Sequence, residues 1–148
     1  MREDLTKQLF EECPMLYRGK DLSVRQNLMC FGFEFRDGWF NIIRDLSLKL
    51  EREIEELKKN GVADDALPMA VQSKEKYGEL CLYMTTATDK MYDMIKEAVK
   101  KSCETCEECG KPGKIRDHRH WIITLCEKCN EEREKKYEGI SKKESKEK

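Results

Sequence analysis

Five cysteines and two histidines stand within residues 103–130, CETCEECGKPGKIRDHRHWIITLCEKCN, close enough in sequence to surround one ion. Cys106-x-x-Cys109 and Cys126-x-x-Cys129 are separated by 16 residues. This is the paired spacing of a structural zinc site. A tight turn across each two-residue gap brings both sulfurs of a pair to about 2.3 Å from a tetrahedral ion, and a hairpin brings up the second pair. Gly110 follows Cys109 where a knuckle needs a residue tolerant of positive φ, Pro112-Gly113 turns the chain, and the β-rich run WIITL (121–125) feeds the second pair. The expectation is one Zn²⁺ held by Cys106, Cys109, Cys126 and Cys129. Four protein ligands leave no position for water or substrate, so this chemistry is structural.

Cys103-x-x-Cys106 repeats the same spacing, which makes Cys103 the alternative ligand. Choosing it would leave Cys109-Gly110 without the knuckle, and Cys103 also suits the last turn of a helix. Cys13, Cys30 and Cys81 stand apart among apolar neighbours and read as small core residues. Lys111, Lys114, Arg116 and Arg119 form a basic patch beside the cysteines, opposed by Asp117 alone, and are the candidate phosphate contacts. The acid-rich segment EKCNEEREKKYE follows at once and favours a solvated loop over a phosphate surface.

The elements that must position this cluster can be read from periodicity. Residues 2–12 suit a short helix with Leu5, Leu9 and Phe10 inward, stopped by Pro14. LMCFGFEF (28–35) places Met29, Phe31, Phe33 and Phe35 two apart, as a half-buried strand would. Asp37 is placed to cap a long helix over about 38–60, with Trp39, Ile42, Ile43, Leu46, Leu50, Ile54 and Leu57 on one stripe and Asn60-Gly61 as its stop. After the loop VADDALP, residues 70–84 read as two strands turning at Tyr77-Gly78, with Leu80, Leu82 and Met84 on one face. Thr88 caps a second helix, about 89–103, that delivers the chain to the cysteines. Residues 127–138 are helical again in pattern, and 139–148 form a charged tail expected to be disordered.

The chain has 148 residues, enough for one domain with a small appended module. Lys+Arg (29) and Asp+Glu (30) nearly cancel at a net charge of −1, which gives no global drive toward nucleic acid. Four thiolates on one Zn²⁺ would carry the folded charge to about −3. The opening residues, MREDLTKQLFEEC, are charged and periodic, unlike a signal peptide, and no apolar run reaches the length of a membrane span. A cytoplasmic location follows, in which eight cysteines serve as ligands or core residues rather than disulfides.

Two resemblances bear on function. CEECG…RDHRH…LCEKCN resembles the HNH nucleases, in which Asp117 or a neighbour would help hold a catalytic metal and His118 would activate water. Only residues 106–130 carry it, and the short interval from His118 to Cys126 lacks the longer loop and asparagine of that pattern. FGFEFRDGWFNII (31–43), VQSKEKYGELCLYM (71–84) and CEECGKPG…WIITLCEKC (106–129), in this order, resemble a family of small uncharacterised proteins of bacteriophages and prophages. That resemblance implies a phage gene acting in the bacterial host cytoplasm, and no mechanism.

The expected architecture is therefore α+β: a long helix packed on a small antiparallel sheet (core, 1–102), with a C-terminal zinc ribbon and following helix (103–138). The expected function is non-catalytic binding of a host macromolecule, a host protein such as a bacterial defence component, with no membrane association. The alternatives are a zinc-ribbon nucleic-acid-binding protein, an HNH-like nuclease, and a protein that sequesters a small nucleotide.

Overall fold

The computed structural model describes residues 1–118 and 121–144. Helix α1 (Glu3–Glu12) packs Leu9 inward and ends before Pro14. The next stretch departs from the expected strand. Residues Met29–Phe31 form a 3₁₀ turn, and only Phe33–Glu34 form strand β1. Gly32, at φ 68°, breaks the alternation between them. Met29, Phe33 and Phe35 are buried, whereas Phe31 and Cys30 turn outward. A period of two in the apolar residues therefore does not make a strand here, because the 3₁₀ turn and the positive φ of Gly32 interrupt the extended run.

Helix α2 (Phe40–Lys59) is the long element, burying Ile43, Leu46, Leu50 and Ile54 along one stripe. Asp37 does not cap it. A 3₁₀ turn over Asp37–Trp39 intervenes, and the Asp37 carboxylate accepts instead from the Arg2 backbone N–H (2.8 Å) and Nε (2.7 Å). The helix stops as its sequence demands. Gly61 takes φ 89°, its N–H donates to Lys58, and the Val62 N–H donates to Leu57, the paired bonds of a Schellman end.

Strands β2 (Ala70–Lys76) and β3 (Glu79–Met84) form the antiparallel hairpin. Tyr77 and Gly78 both have positive φ (53° and 80°), the geometry of a type I′ turn. β1 joins β2 in parallel through Phe33↔Ser73 and Glu34↔Lys74, so the three-stranded sheet is mixed rather than wholly antiparallel. Helix α3 (Asp89–Cys103) starts at Thr88, whose hydroxyl accepts from the Met91 N–H, and it packs on α2 and β3. Then β4 (Lys114–His118) and β5 (Trp121–Leu125) form a second hairpin. Helix α4 (Glu127–Glu144) continues six residues past the expected end at 138, into the segment expected to be tail.

Two apolar clusters result. The larger lies between α2, α3 and the three-stranded sheet, and an aromatic series Phe10, Tyr17, Phe33, Phe35, Trp39 runs through it with ring centroids 5.3–5.9 Å apart. The smaller holds Cys106, Ile123, Leu125 and Cys126, too little apolar surface to fold unaided. Glu51 is buried on α2, where its two oxygens accept from the Met15 and Leu16 N–H groups (2.9 and 2.7 Å), and burial raises its pKa. Among the described residues no helix is long and apolar enough to cross a membrane.

Candidate metal centre

The two cysteine pairs reach one point from different local structures. In the first, the chain leaves α3 at Cys103 and turns back after Cys109, where the Gly110 N–H donates to the Cys106 carbonyl (2.9 Å) at a φ of 75°. This is the knuckle that Gly110 was expected to permit. In the second, Cys126 directly follows β5 and Cys129 lies on the first turn of α4. There the Cys129 N–H points at the Cys126 sulfur (3.4 Å).

The ligand atoms of Cys106, Cys109, Cys126 and Cys129 lie within 4.8 Å of one another. Cys109 Sγ and Cys126 Sγ are 3.7 Å apart. A covalent disulfide would need about 2.05 Å. Four sulfurs about 2.3 Å from a tetrahedral ion have edges of about 3.8 Å, so the spacing suits a bound metal. The electrostatics agree with that geometry. The Cys129 N–H at a helix start, with the neighbouring cysteines, pulls the Cys126 thiol down to about 7. Burial pushes Cys106 up, and burial together with the thiols around it pushes Cys129 up. Gathered thiols resist ionising together unless a cation compensates them. Cys103 stays outside the cluster, its thiol donating to the Val99 carbonyl at 3.4 Å.

The seat of the first knuckle is the segment DGW, expected from its sequence to open a helix. The Gly38 N–H donates to the Glu107 carbonyl (2.8 Å), and the buried Trp39 donates its indole N–H to the Thr105 carbonyl (2.8 Å). A Cβ on Gly38 would stand 2.2 Å from the Cys106 carbonyl oxygen, so only glycine permits this approach. Arg36 adds a backbone N–H to Glu107 Oε1 (3.2 Å) and a guanidinium to Glu108 (3.0 Å). The β2–β3 turn supplies a second attachment: Thr124 donates its hydroxyl to the Gly78 carbonyl (2.7 Å, buried). Gly38, Trp39, Glu107 and Thr124 thus belong to the centre's support. The one sequence signal was a glycine between a turn-forming aspartate and a tryptophan.

Glu107 is 5% exposed, and burial pushes its carboxyl up to about 6. Its Oε2 has no hydrogen-bond partner.

The candidate phosphate residues do not form one free patch. Arg116 is engaged within the fold, donating Nε to the Leu125 carbonyl (3.0 Å) and a terminal nitrogen to Glu127 (2.9 Å). That guanidinium holds the Glu127 carboxyl below its usual range. Lys111 and Lys114 are exposed, and Arg119 lies outside the described residues, as does His120. For the nuclease-like reading, Asp117 is exposed on β4, and the two strands are joined across residues 119–120 with no long loop. Among the described residues, the four cysteines are the cluster of potential ligands that converges. No family model, curated protein or solved structure matches this chain.

Proposed function

We propose that this is a non-catalytic zinc-binding protein in which one Zn²⁺, held by Cys106, Cys109, Cys126 and Cys129, fixes the β4–β5 ribbon on the core so that the assembled surface binds a protein partner. The observation that carries the reading is the convergence of four thiols, the cluster of potential ligands found among the described residues, on a knuckle seated against Gly38. A closed thiolate set suits a structural ion, because chemistry at zinc needs an open position. The resemblance to phage proteins supplies the setting: the partner is a bacterial host protein, and a defence component is the class such proteins intercept.

Ion counting on purified protein should give one Zn²⁺ per chain, retained by Cys103→Ser and lost from Cys106→Ser. Zinc-loaded protein should capture a host protein that Cys106→Ser fails to capture. A folded protein without metal, or zinc lost on Cys103→Ser and kept on Cys109→Ser, would overturn the ligand set. DNA cleavage with Mg²⁺ or Mn²⁺ that His118→Ala abolishes would replace binding by a nuclease reading.

A further inference from the structure

Behind the knuckle, between the end of β1, the β2–β3 turn and α4, lies a cleft of about 340 Å³. Three carboxylates line it, from Glu34, Glu75 and Glu107, together with Trp121. Trp121 is 58% exposed, although apolar rings of this size are usually covered. Each carboxylate has one oxygen already bonded within the fold. Glu34 accepts from Gln72 (3.0 Å), Glu75 from the Gly78 N–H (2.7 Å), and Glu107 from the Arg36 N–H (3.2 Å). The remaining Glu107 oxygen is buried without a partner, and an orphaned buried acceptor is costly to maintain. None of the cleft's cations is bonded to it: the Met1 ammonium donates to the Phe33 and Phe35 carbonyls, Arg36 is paired with Glu108, and Arg133, on α4, has a buried Nε that itself lacks a partner.

We infer that this cleft receives a lysine side chain of a protein partner, an inference that rests on the binding function proposed above. An ammonium is a compact charge with three donors, matched to carboxylates that each have one oxygen to offer. Its alkyl stem would lie along the Trp121 ring, which also attracts the cation through its π face. The orphaned Arg133 Nε would donate to a backbone carbonyl of the same segment. A guanidinium fits less well, because its fork seeks both oxygens of one carboxylate and Glu107 has only one to give.

The test is an NMR titration of zinc-loaded full-length protein with N-acetyl-lysine methylamide, following the Trp121 indole N–H and the Glu107 amide. Both signals should shift saturably, while the neutral isostere N-acetyl-norleucine methylamide leaves them in place. Glu107→Gln keeps the acceptor for Arg36 and should weaken the lysine probe about tenfold. Trp121→Ala, at an exposed position, should weaken it about fivefold. Trp121→Ala should retain one zinc. Equal shifts with the norleucine probe, tighter binding of N-acetyl-arginine methylamide, or no saturable shift would each overturn the inference. Zinc-dependent capture of a host protein that is untouched by Trp121→Ala would also remove the cleft while leaving the binding function standing. Saturable lysine binding without any partner capture would do the reverse.

Discussion

Replacing Gly38 by alanine isolates the contact on which the candidate metal centre is seated. The added Cβ would meet the Cys106 carbonyl oxygen at 2.2 Å, the Glu107 carbonyl oxygen at 2.5 Å and the Glu107 carbonyl carbon at 2.6 Å. All three are backbone atoms, so no side chain can swing aside, and the knuckle must retreat by about 1 Å to reach ordinary contact. That retreat stretches the Gly38–Glu107 and Trp39–Thr105 hydrogen bonds, both 2.8 Å. Overpacking costs about 1–3 kcal/mol, and each weakened bond adds up to about 1 kcal/mol. The reduced freedom of the unfolded chain returns about 0.5 kcal/mol. A net loss of about 3 kcal/mol corresponds to a fall in Tm of roughly 6–12 °C at this chain length. Circular dichroism melts of zinc-loaded protein should show it, together with faster transfer of zinc to a chelator. Gly139→Ala is the control: nothing lies within 4 Å of its Cβ, and it sits within α4. It should hold or slightly raise the melting temperature. A Gly38→Ala protein that melts and releases zinc like the wild type would refute the seat.

Gly78→Val places a β-branched residue at φ 80°, with its Cβ 3.3 Å from Ile122 Cγ2. It should cost about 2 kcal/mol in a denaturant melt and perturb the ribbon signals as well as the hairpin. Thr124→Val leaves the Gly78 carbonyl without its buried 2.7 Å donor and should cost about 1–3 kcal/mol, readable by urea unfolding with an unchanged m-value. Hydrogen bonding and charge from Arg44 hold the Glu12 carboxyl below its ordinary value, so below pH 4.5 the unfolded chain binds more protons than the folded one. The stabilisation is thus complete above the unfolded pKa and fades as pH falls through the folded one. Arg44→Met should melt below the wild type at pH 7, with the gap narrowing as pH falls below 4.5.

Local chemistry was legible in the sequence wherever it was decided locally. The cysteine spacing specified the converging set, Gly110 the knuckle, Tyr77-Gly78 the turn, Thr88 the cap, and Asn60-Gly61 the helix end. Each of these depends on a few neighbouring residues and their φ preferences, and those travel with the sequence. The reading failed where distant segments set the outcome. FGFEF lost its strand because Gly32 turns the chain, and β1 took a parallel place beside β2. Asp37 was drawn from capping by Arg2, a partner 35 positions away. Arg116, apparently free for phosphate, was taken by Leu125 and Glu127. Most of all, nothing local in DGW says that its glycine lies against the Cys106 carbonyl. Glycine is neutral in the sequence, and its necessity appears only when another backbone comes within 3 Å of it. The converging cysteines were therefore a property of the sequence, whereas the surface that seats them, and the cleft behind it, exist only once the core and the ribbon meet.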